Sequence, residues 1–272
     1  WPCVIDGILA AAEANPELEV RVVAELENCV RSEEGILGCD LARLEEAGVA
    51  TVVLDDRSYL MHLKVAIVDG DFAVLGSANW TEESLCDDYN GSIVFDDAGI
   101  VAGLEDEFER LHQGEFGNTP WTEPIESGGV DLYWSPPGQD WQDELIRRID
   151  AAADGEISFM MFAFTLQTVA DALIAAAARG VTVRGVVGSR FGSEEAVVAM
   201  QEAGIEVLAG HVHHKATLFV GADGSTTLAM GSGNYSNNAR SSNEVVLFIE
   251  DDAELTAAYA EEYERIRAAL AP

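Results

Sequence analysis

The chain has 272 residues, 48 % of them hydrophobic, enough for a substantial core in one large or two modest domains. Forty-nine acidic against fifteen basic residues give a formal net charge of −34, so the surface repels polyanions except where a local cationic channel overrides it. No uncharged apolar run is long enough for a membrane-spanning helix, and the acids are spread along the whole sequence, as suits solubility at high salt.

The opening "WPCVIDG" reads as the middle of a fold, with the expectation that residues precede Trp1. Val4–Val23 patterns as an amphipathic helix, a turn and a β-rich strand; Leu41–Leu54 patterns as a helix closed by Gly48 and a second strand. The four cysteines, Cys3, Cys29, Cys39 and Cys86, lie in the first third and include no metal-type pair. Cys29 and Cys39 bracket a loop they could bridge, which would suit an extracellular or periplasmic location; buried free thiols are the competing reading.

"HLKVAIVDGDF" follows. His62 and Lys64 share one face of an extended strand, and Asp69-Gly70 signals a two-residue hairpin turn. Counting back from that turn sets Ser77 opposite His62, with Asn79 on the same side. A strand at Gly91–Asp97 and a helix through Glu107–Leu111 come next, and His112–Gly129, rich in Gly, Pro and polar residues, forms the join. Val130–Thr165 then reads as strand, loop, helix and buried strand, with no earlier counterpart; its equivalent is expected before Trp1.

From Val169 the first order repeats. Val169–Val187 answers Val4–Val23, Val197–Gly210 answers Leu41–Leu54, and "EYERI" answers "EFERL". His213 and Lys215 share a face, and a turn between Ala222 and Asp223 sets Ser232 opposite His213, with Asn234 two residues on. The reading is an α/β internal duplication, each half a mainly parallel mixed sheet flanked by helices: residues 1–118, a linker at 119–129, and residues 130–272.

Only two lysines exist, Lys64 and Lys215, each two places after a histidine and each followed by Gly-Ser-x-Asn. Each half therefore gathers an imidazole, an ammonium, a hydroxyl and a carboxamide, a donor set suited to a phosphate or phosphodiester. One such tripeptide is an accident of a surface strand; two in matching context are not. The HVHH cluster lacks a second ligand group at metal spacing, and Gly-Ser-Ala-Asn lacks the G-K-[ST] of a nucleotide loop, so neither a metal nor a cofactor is expected.

"HLKVAIVD" with "GSAN", and "HHKATLFV" with "GSGN", resemble the phospholipase D superfamily signature, H-x-K-x4-D followed by G-S-x-N once per half. The second copy departs from it at Val220, where the signature has aspartate. The resemblance implies halves meeting at a pseudo-twofold interface with both motifs facing one phosphate. It implies His62 as nucleophile, forming a phosphohistidine, His213 as acid and base, and no metal. Lys64, Lys215, Asn79 and Asn234 would hold the non-bridging oxygens with help from Ser77 and Ser232. An acid downstream of each histidine would steady its imidazole: Glu244 for His213 and, in the region around Asn90, Asp88 for His62. Asp69 is assigned a structural role. Trp80 and Tyr235 are candidate phosphate-site walls or substrate contacts, with core packing the competing reading; the resemblance sets Trp134 and Phe164 near the active-site mouth as candidate substrate contacts.

For substrate, the leading expectation is a phospholipid, hydrolysed or transphosphatidylated with transient membrane-surface contact. A nonspecific nuclease needs many backbone-facing cations, and both lysines here are committed to the catalytic phosphate. A metal-independent endonuclease on DNA or RNA is the alternative, favoured if Arg184, Arg190 and Arg240 form a basic groove. A non-catalytic phosphate-binding relative is disfavoured by the intact motifs. Both motifs in one chain imply a monomer.

Overall fold

The computed structural model describes residues 2–26, 29–32, 35–37, 39–117, 119–136 and 140–271. It opens with α1 (Pro2–Ala14), β1 (Val20–Glu25), β2 (Val30–Ser32), β3 (Gly35–Leu37), α2 (Leu41–Glu46) and β4 (Ala50–Asp55). Gly48, at φ +67°, ends α2 where a side chain would be strained, and returns the chain so that β4 pairs parallel to β1. β2 and β3 form a hairpin that the sequence did not announce, and the Cys29–Cys39 disulfide ties off its ends. Ile5, Ala24, Leu41, Leu44 and Val52 make a small core here.

Then come β5 (Val65–Val68), β6 (Phe72–Gly76), a short α3 (Glu82–Cys86), β7 (Ser92–Phe95) and α4 (Ala98–His112). β5, β6 and β7 form an antiparallel sheet. Its inner residues Ala73, Leu75 and Phe95 pack with Ile100, Val101 and Leu104 of α4, which starts where the Asp97 carboxylate accepts the Gly99 and Ile100 N–H groups.

The second half holds β8 (Ile125–Ser127), β9 (Val130–Ser135), α5 (Trp141–Ala151), β10 (Glu156–Met161), α6 (Gln167–Arg179), β11 (Thr182–Gly188), α7 (Glu195–Glu202), β12 (Glu206–Gly210), β13 (Lys215–Val220), β14 (Thr226–Gly231), β15 (Glu244–Glu250) and α8 (Ala253–Leu270). Its strands form one eight-stranded mixed sheet, in the order β12-β11-β10-β13-β14-β15-β9-β8. Parallel pairing is confined to β10, β11 and β12, where helices supply the crossovers; hairpins and returns make the remaining ladders antiparallel. β8, inside the expected linker, adds the last strand. α5, α6 and α7 cover one face, while α8 and α4 share the core on the other, which joins residues of both halves. β10 links β11 to β13; among the described residues no strand links β1 to β5 in this way, so those strands lie in separate sheets.

Both hairpin registers differ from expectation by one residue. Val68 pairs with Phe72 across a three-residue loop in which Asp69 and Gly70 both have positive φ, and Val220 pairs with Thr226 across a five-residue loop. Odd loops shift the partner by one, so Ser77 does not face His62, nor Ser232 His213. No helix among the described residues is long and apolar enough to cross a membrane.

Candidate active site

Each motif histidine sits just before its strand, where the backbone bridges to the other half. His62 N–H donates to the Asn243 carbonyl (3.0 Å) while Asn243 N–H donates to Leu60 (2.8 Å). Reciprocally, His213 N–H donates to the Tyr89 carbonyl (2.9 Å) and Tyr89 N–H to His211 (3.3 Å). The Met61 N–H donates to Glu25 (2.7 Å), and Arg57 ties buried Asp55 to the Asn243 side chain, so the approach to His62 is held from both sides.

These bridges decide the histidine partners, and they cross between halves. Glu244 accepts from His62 Nδ1 at 2.8 and 2.9 Å, and Asn90 Oδ1 lies 2.8 Å from His213 Nδ1. The expected assignment of Glu244 to His213 and Asp88 to His62 is therefore corrected. A residue that enters its strand beside the other half's motif can only reach that motif. Asp88 has no bond to His62; its charge acts on Lys215.

The crossed network also fixes the tautomers. Asn90 Nδ2 donates to the Ser84 carbonyl (2.7 Å), which turns Oδ1 toward His213; His213 Nδ1 must then carry the proton and leave Nε2 unprotonated, 3.5 Å from the Lys215 ammonium. The Glu244 carboxylate likewise holds the Nδ1 proton of His62. Ser77 Oγ donates to Asn90 (2.8 Å) and Ser232 Oγ to Glu244 (2.6 Å). The serine protons are thus spent on positioning the histidine partners, which corrects the expectation that they assist at phosphate.

Lys64 and Lys215 are buried, and each ammonium donates to the carbonyl of its own histidine, at 2.6 and 2.8 Å. Burial pushes Lys64 down to about 8 against the opposing pull of Glu244. Lys215 is driven well below its ordinary value by burial and then by Lys64. Burial also lowers His62, with Glu244 opposing, and takes His213 down to about 2, with Lys215 and Lys64 adding to the effect. Two cations and two imidazoles around one carboxylate form a site short of negative charge, which an anionic ligand supplies. Asn234 Oδ1 accepts from Ala163 N–H (3.2 Å), and its amide donors have no partner among the described residues; Asn79 is half-buried, its N–H on Ser84 Oγ (3.1 Å).

Other candidates fall elsewhere. Trp134 and Phe164 are buried in the core, and Tyr235 packs on Phe164 with its hydroxyl bonded to Thr217 (2.6 Å), so all three take packing positions. Trp80 is half-buried next to Asn79. Asp69 occupies the hairpin tip at φ 55°, a structural place. His214 faces away, onto Tyr259 and Glu262. Of the three arginines of the expected groove, Arg184 is held by Glu156 and Glu264 and Arg240 by Asp140 and Asp143, while Arg190 lies over the Phe191 ring.

One group went unread in the sequence. The Phe162 ring lies 4.6 Å from that of His213, 5.3 Å from the Lys215 ammonium and 5.3 Å from the Phe191 ring. Its position immediately after a buried strand and two residues from a conspicuous Phe164 was the available signal.

A sequence model of the family described as "Cardiolipin synthase, PLD-like domain" matches residues 4–112 and 145–267. The mitochondrial cardiolipin hydrolase of Xenopus tropicalis is 36 % identical over 96 residues, 35 % of this chain and 43 % of that protein. That of Xenopus laevis is 40 % identical over 74 residues, 27 % of this chain and 35 % of that protein. The chain spans less than half the length of the curated relatives it matches. Among solved structures, phosphatidylserine synthase of Haemophilus influenzae Rd KW20 shares the fold at TM-score 0.65 and 12 % identity, covering 96 % of this chain and 76 % of that one. Polyphosphate kinase of Porphyromonas gingivalis does so at 0.62 and 18 %, covering 96 % and 43 %. With its paired motifs and a family match over most of its length, the chain belongs to the phospholipase D superfamily, in the family of cardiolipin synthase PLD-like domains.

Proposed function

We propose that the chain is a phosphodiesterase acting on phospholipids through a phosphohistidine. The observation that carries the reading is the unequal pair of histidine partners, a carboxylate behind His62 and a carboxamide behind His213. His62 Nε2 attacks phosphorus, and the Glu244 carboxylate stabilises the positive charge that grows on the ring. The bond to the leaving oxygen breaks as His213 Nε2 gives that oxygen a proton, which the bound anion has allowed it to take up. His213, neutral again, then removes a proton from water or an alcohol; that oxygen attacks phosphorus and releases His62. Neutral Asn90 orients His213 without fixing its charge, as a group that must both give and take a proton requires. Lys64, Lys215, Asn79 and Asn234 hold the non-bridging oxygens as charge builds.

The reciprocal bridges support halves 1–118 and 130–272 related by a pseudo-twofold axis through this site, joined by 119–129 and active as a monomer. A phospholipid is favoured over nucleic acid because Arg184 and Arg240, two cations that could follow a nucleic-acid backbone, are already paired with carboxylates. The relatives named as cardiolipin hydrolases agree with a lipid substrate. The disulfide favours an extracellular or periplasmic setting.

The test is a paired assay with chelator in both arms: phosphatidylcholine plus a small primary alcohol, and single-stranded DNA, with His62→Ala as blank. Phosphatidyl-alcohol formation without DNA cleavage is expected. DNA cleavage alone overturns the lipid reading.

A further inference from the structure

We propose that Arg57 is a positioning residue for the attack on phosphorus: by pinning Asn243 to the first half's sheet, it sets the Glu244 carboxylate against the His62 ring. The proposal rests on the phosphohistidine reading above.

The joint between His62 and Glu244 is not part of a ladder. Met61 and Asn243 make an isolated bridge, held by the His62 N–H on the Asn243 carbonyl (3.0 Å) and the Asn243 N–H on Leu60 (2.8 Å). An isolated bridge has no neighbouring rungs to fix its register, yet the next residue, Glu244, must meet His62 Nδ1. Arg57 supplies what the ladder lacks. Its Nε and Nη2 grip Asp55, at 3.0 and 2.6 Å, and Nη2 gives its second proton to Asn243 Oδ1. Asp55 closes β4, where it pairs with Glu25 of β1, and the Glu25 carboxylate takes the Met61 N–H (2.7 Å). One sheet therefore holds both sides of the bridge. Among the described residues the Asn243 carboxamide, 1 % exposed, bonds to Arg57 alone. The Phe116 ring lies 5.7 Å from the guanidinium carbon, so the chain after α4 closes over the fork.

An arginine beside a buried carboxylate ordinarily serves stability alone, but the second bridge offers a comparison. Tyr89 precedes Asn90 as Asn243 precedes Glu244, and it too is met by an arginine: Arg265 lies over its ring at 4.6 Å while pairing with Glu262 (2.7 Å). That contact is at the surface, with the Arg265 side chain 53 % exposed, whereas Arg57 is 25 % exposed and Asp55 fully buried. The firmer hold is on the partner of the nucleophile. A nucleophile must lie on the line of attack, where a displacement of about 1 Å costs about 10²-fold. His213 exchanges its proton with two different oxygens in turn and tolerates more motion.

The test places Arg57→Met in an Asp55→Asn background, so that no buried carboxylate is left unpaired and the fold is kept. With enzyme in excess over a p-nitrophenyl phosphodiester, nitrophenol release reports the attack step alone. Relative to Asp55→Asn, its rate constant at saturating enzyme is expected to fall about 10- to 100-fold, the cost of a lost charge-assisted bond and the shift it allows. A role in stability alone would lower the fraction of competent protein and leave that rate constant unchanged, which overturns the proposal. Arg57→Ala, with Asp55 kept, should regain rate on addition of guanidinium below denaturing concentrations; equal recovery with sodium chloride would reduce Arg57 to charge balance and also overturn it. A further readout needs no turnover. The proton NMR signal of His62 Nδ1–H, assigned by its displacement in Glu244→Gln, should broaden or move upfield in the double variant and persist in Asp55→Asn. If no diester is cleaved but that signal depends on Arg57, the phosphohistidine reading fails and the positioning role stands. Slowed attack with an undisturbed Nδ1 signal means that Arg57 acts elsewhere, and the proposal falls.

Discussion

Replacing Glu244 with glutamine removes one negative charge and almost no volume. Glu244 is buried, accepts the Nδ1 proton of His62 at 2.8 Å, and receives the Ser232 hydroxyl at 2.6 Å. Removing one partner of a buried charged pair typically costs about 3–5 kcal/mol. The carboxylate is needed most when phosphorus–nitrogen bonding makes the His62 ring cationic, so that cost falls largely on the transition state. At 1.36 kcal/mol per factor of ten, the first chemical step slows by about 10²- to 10⁴-fold. The informative assay uses a p-nitrophenyl phosphodiester, whose leaving group needs no proton. His213→Ala should then give a burst of one equivalent of nitrophenol and stop, because attack proceeds and only release fails. Glu244→Gln should give no burst, because its defect lies in the attack itself. Had Glu244 served His213, the good leaving group would rescue it; a full burst from Glu244→Gln protein with unchanged circular dichroism refutes the crossed pairing.

Three further outcomes are expected. Lys64, lowered to about 8 by burial, acts as a cation, so kcat/KM for a phosphodiester should fall as pH rises through about 8; Lys64→Arg, whatever its rate, should lose that alkaline limb because a guanidinium stays charged, and a pH–rate profile decides. His213, lowered to about 2 in the empty site, should gain a proton when an anion enters. Titrating dimethyl phosphate near pH 6 in buffers of different ionisation enthalpy should show proton uptake, and its absence would mean that His213 is not the acid. Phe164→Leu should lower stability by about 1–2 kcal/mol in urea melts yet keep kcat/KM within about twofold, since the ring packs among Phe159 and Tyr235.

What the sequence reveals about this site follows strand periodicity and stops where the strands stop. His62 with Lys64, and His213 with Lys215, were legible because alternate residues of an extended segment share a face and because the chain holds no other lysine. The duplication was legible for the same reason, since helix and strand periods recur in the same order. The crossed partners were not. Which half Glu244 reaches depends on the bridge between Met61 and Asn243, a long-range pairing with no local pattern. A carboxylate rule selects Asp88 over Asn90, whereas an orienting acceptor can be an amide. Phe162 and Phe164 escape the strand rule because β10 ends at Met161. Beyond it the alternation rule lapses: Phe162 turns to His213, while a bridge to Tyr235 draws Phe164 into the core. Hairpin register failed for a comparable reason, as the motif Asp-Gly fixes a turn but not the parity of its loop.

The choice of lysine at these two places has a physical basis beyond charge. Each ammonium is buried, within reach of its own histidine carbonyl, in a space where a guanidinium's five donors could not all be satisfied. A compact ammonium can exchange that carbonyl for a phosphate oxygen by a small rotation, and its lowered affinity for protons makes the anion's arrival worth more. Elsewhere arginine braces helices and strand ends against an acidic surface, and its planar fork does that better than an ammonium, as at Arg148 between Glu144, Asp131 and Glu250. The surface and the site therefore carry opposite fields. At low ionic strength the outer field slows the approach of an anionic substrate; at high ionic strength it is screened within a few ångströms, while the buried lysines keep their full effect. On this reasoning, turnover of a negatively charged lipid should rise with salt, the reverse of what a cationic nuclease shows, and the slope of rate against ionic strength reads the sign of the field that guides substrate to His62.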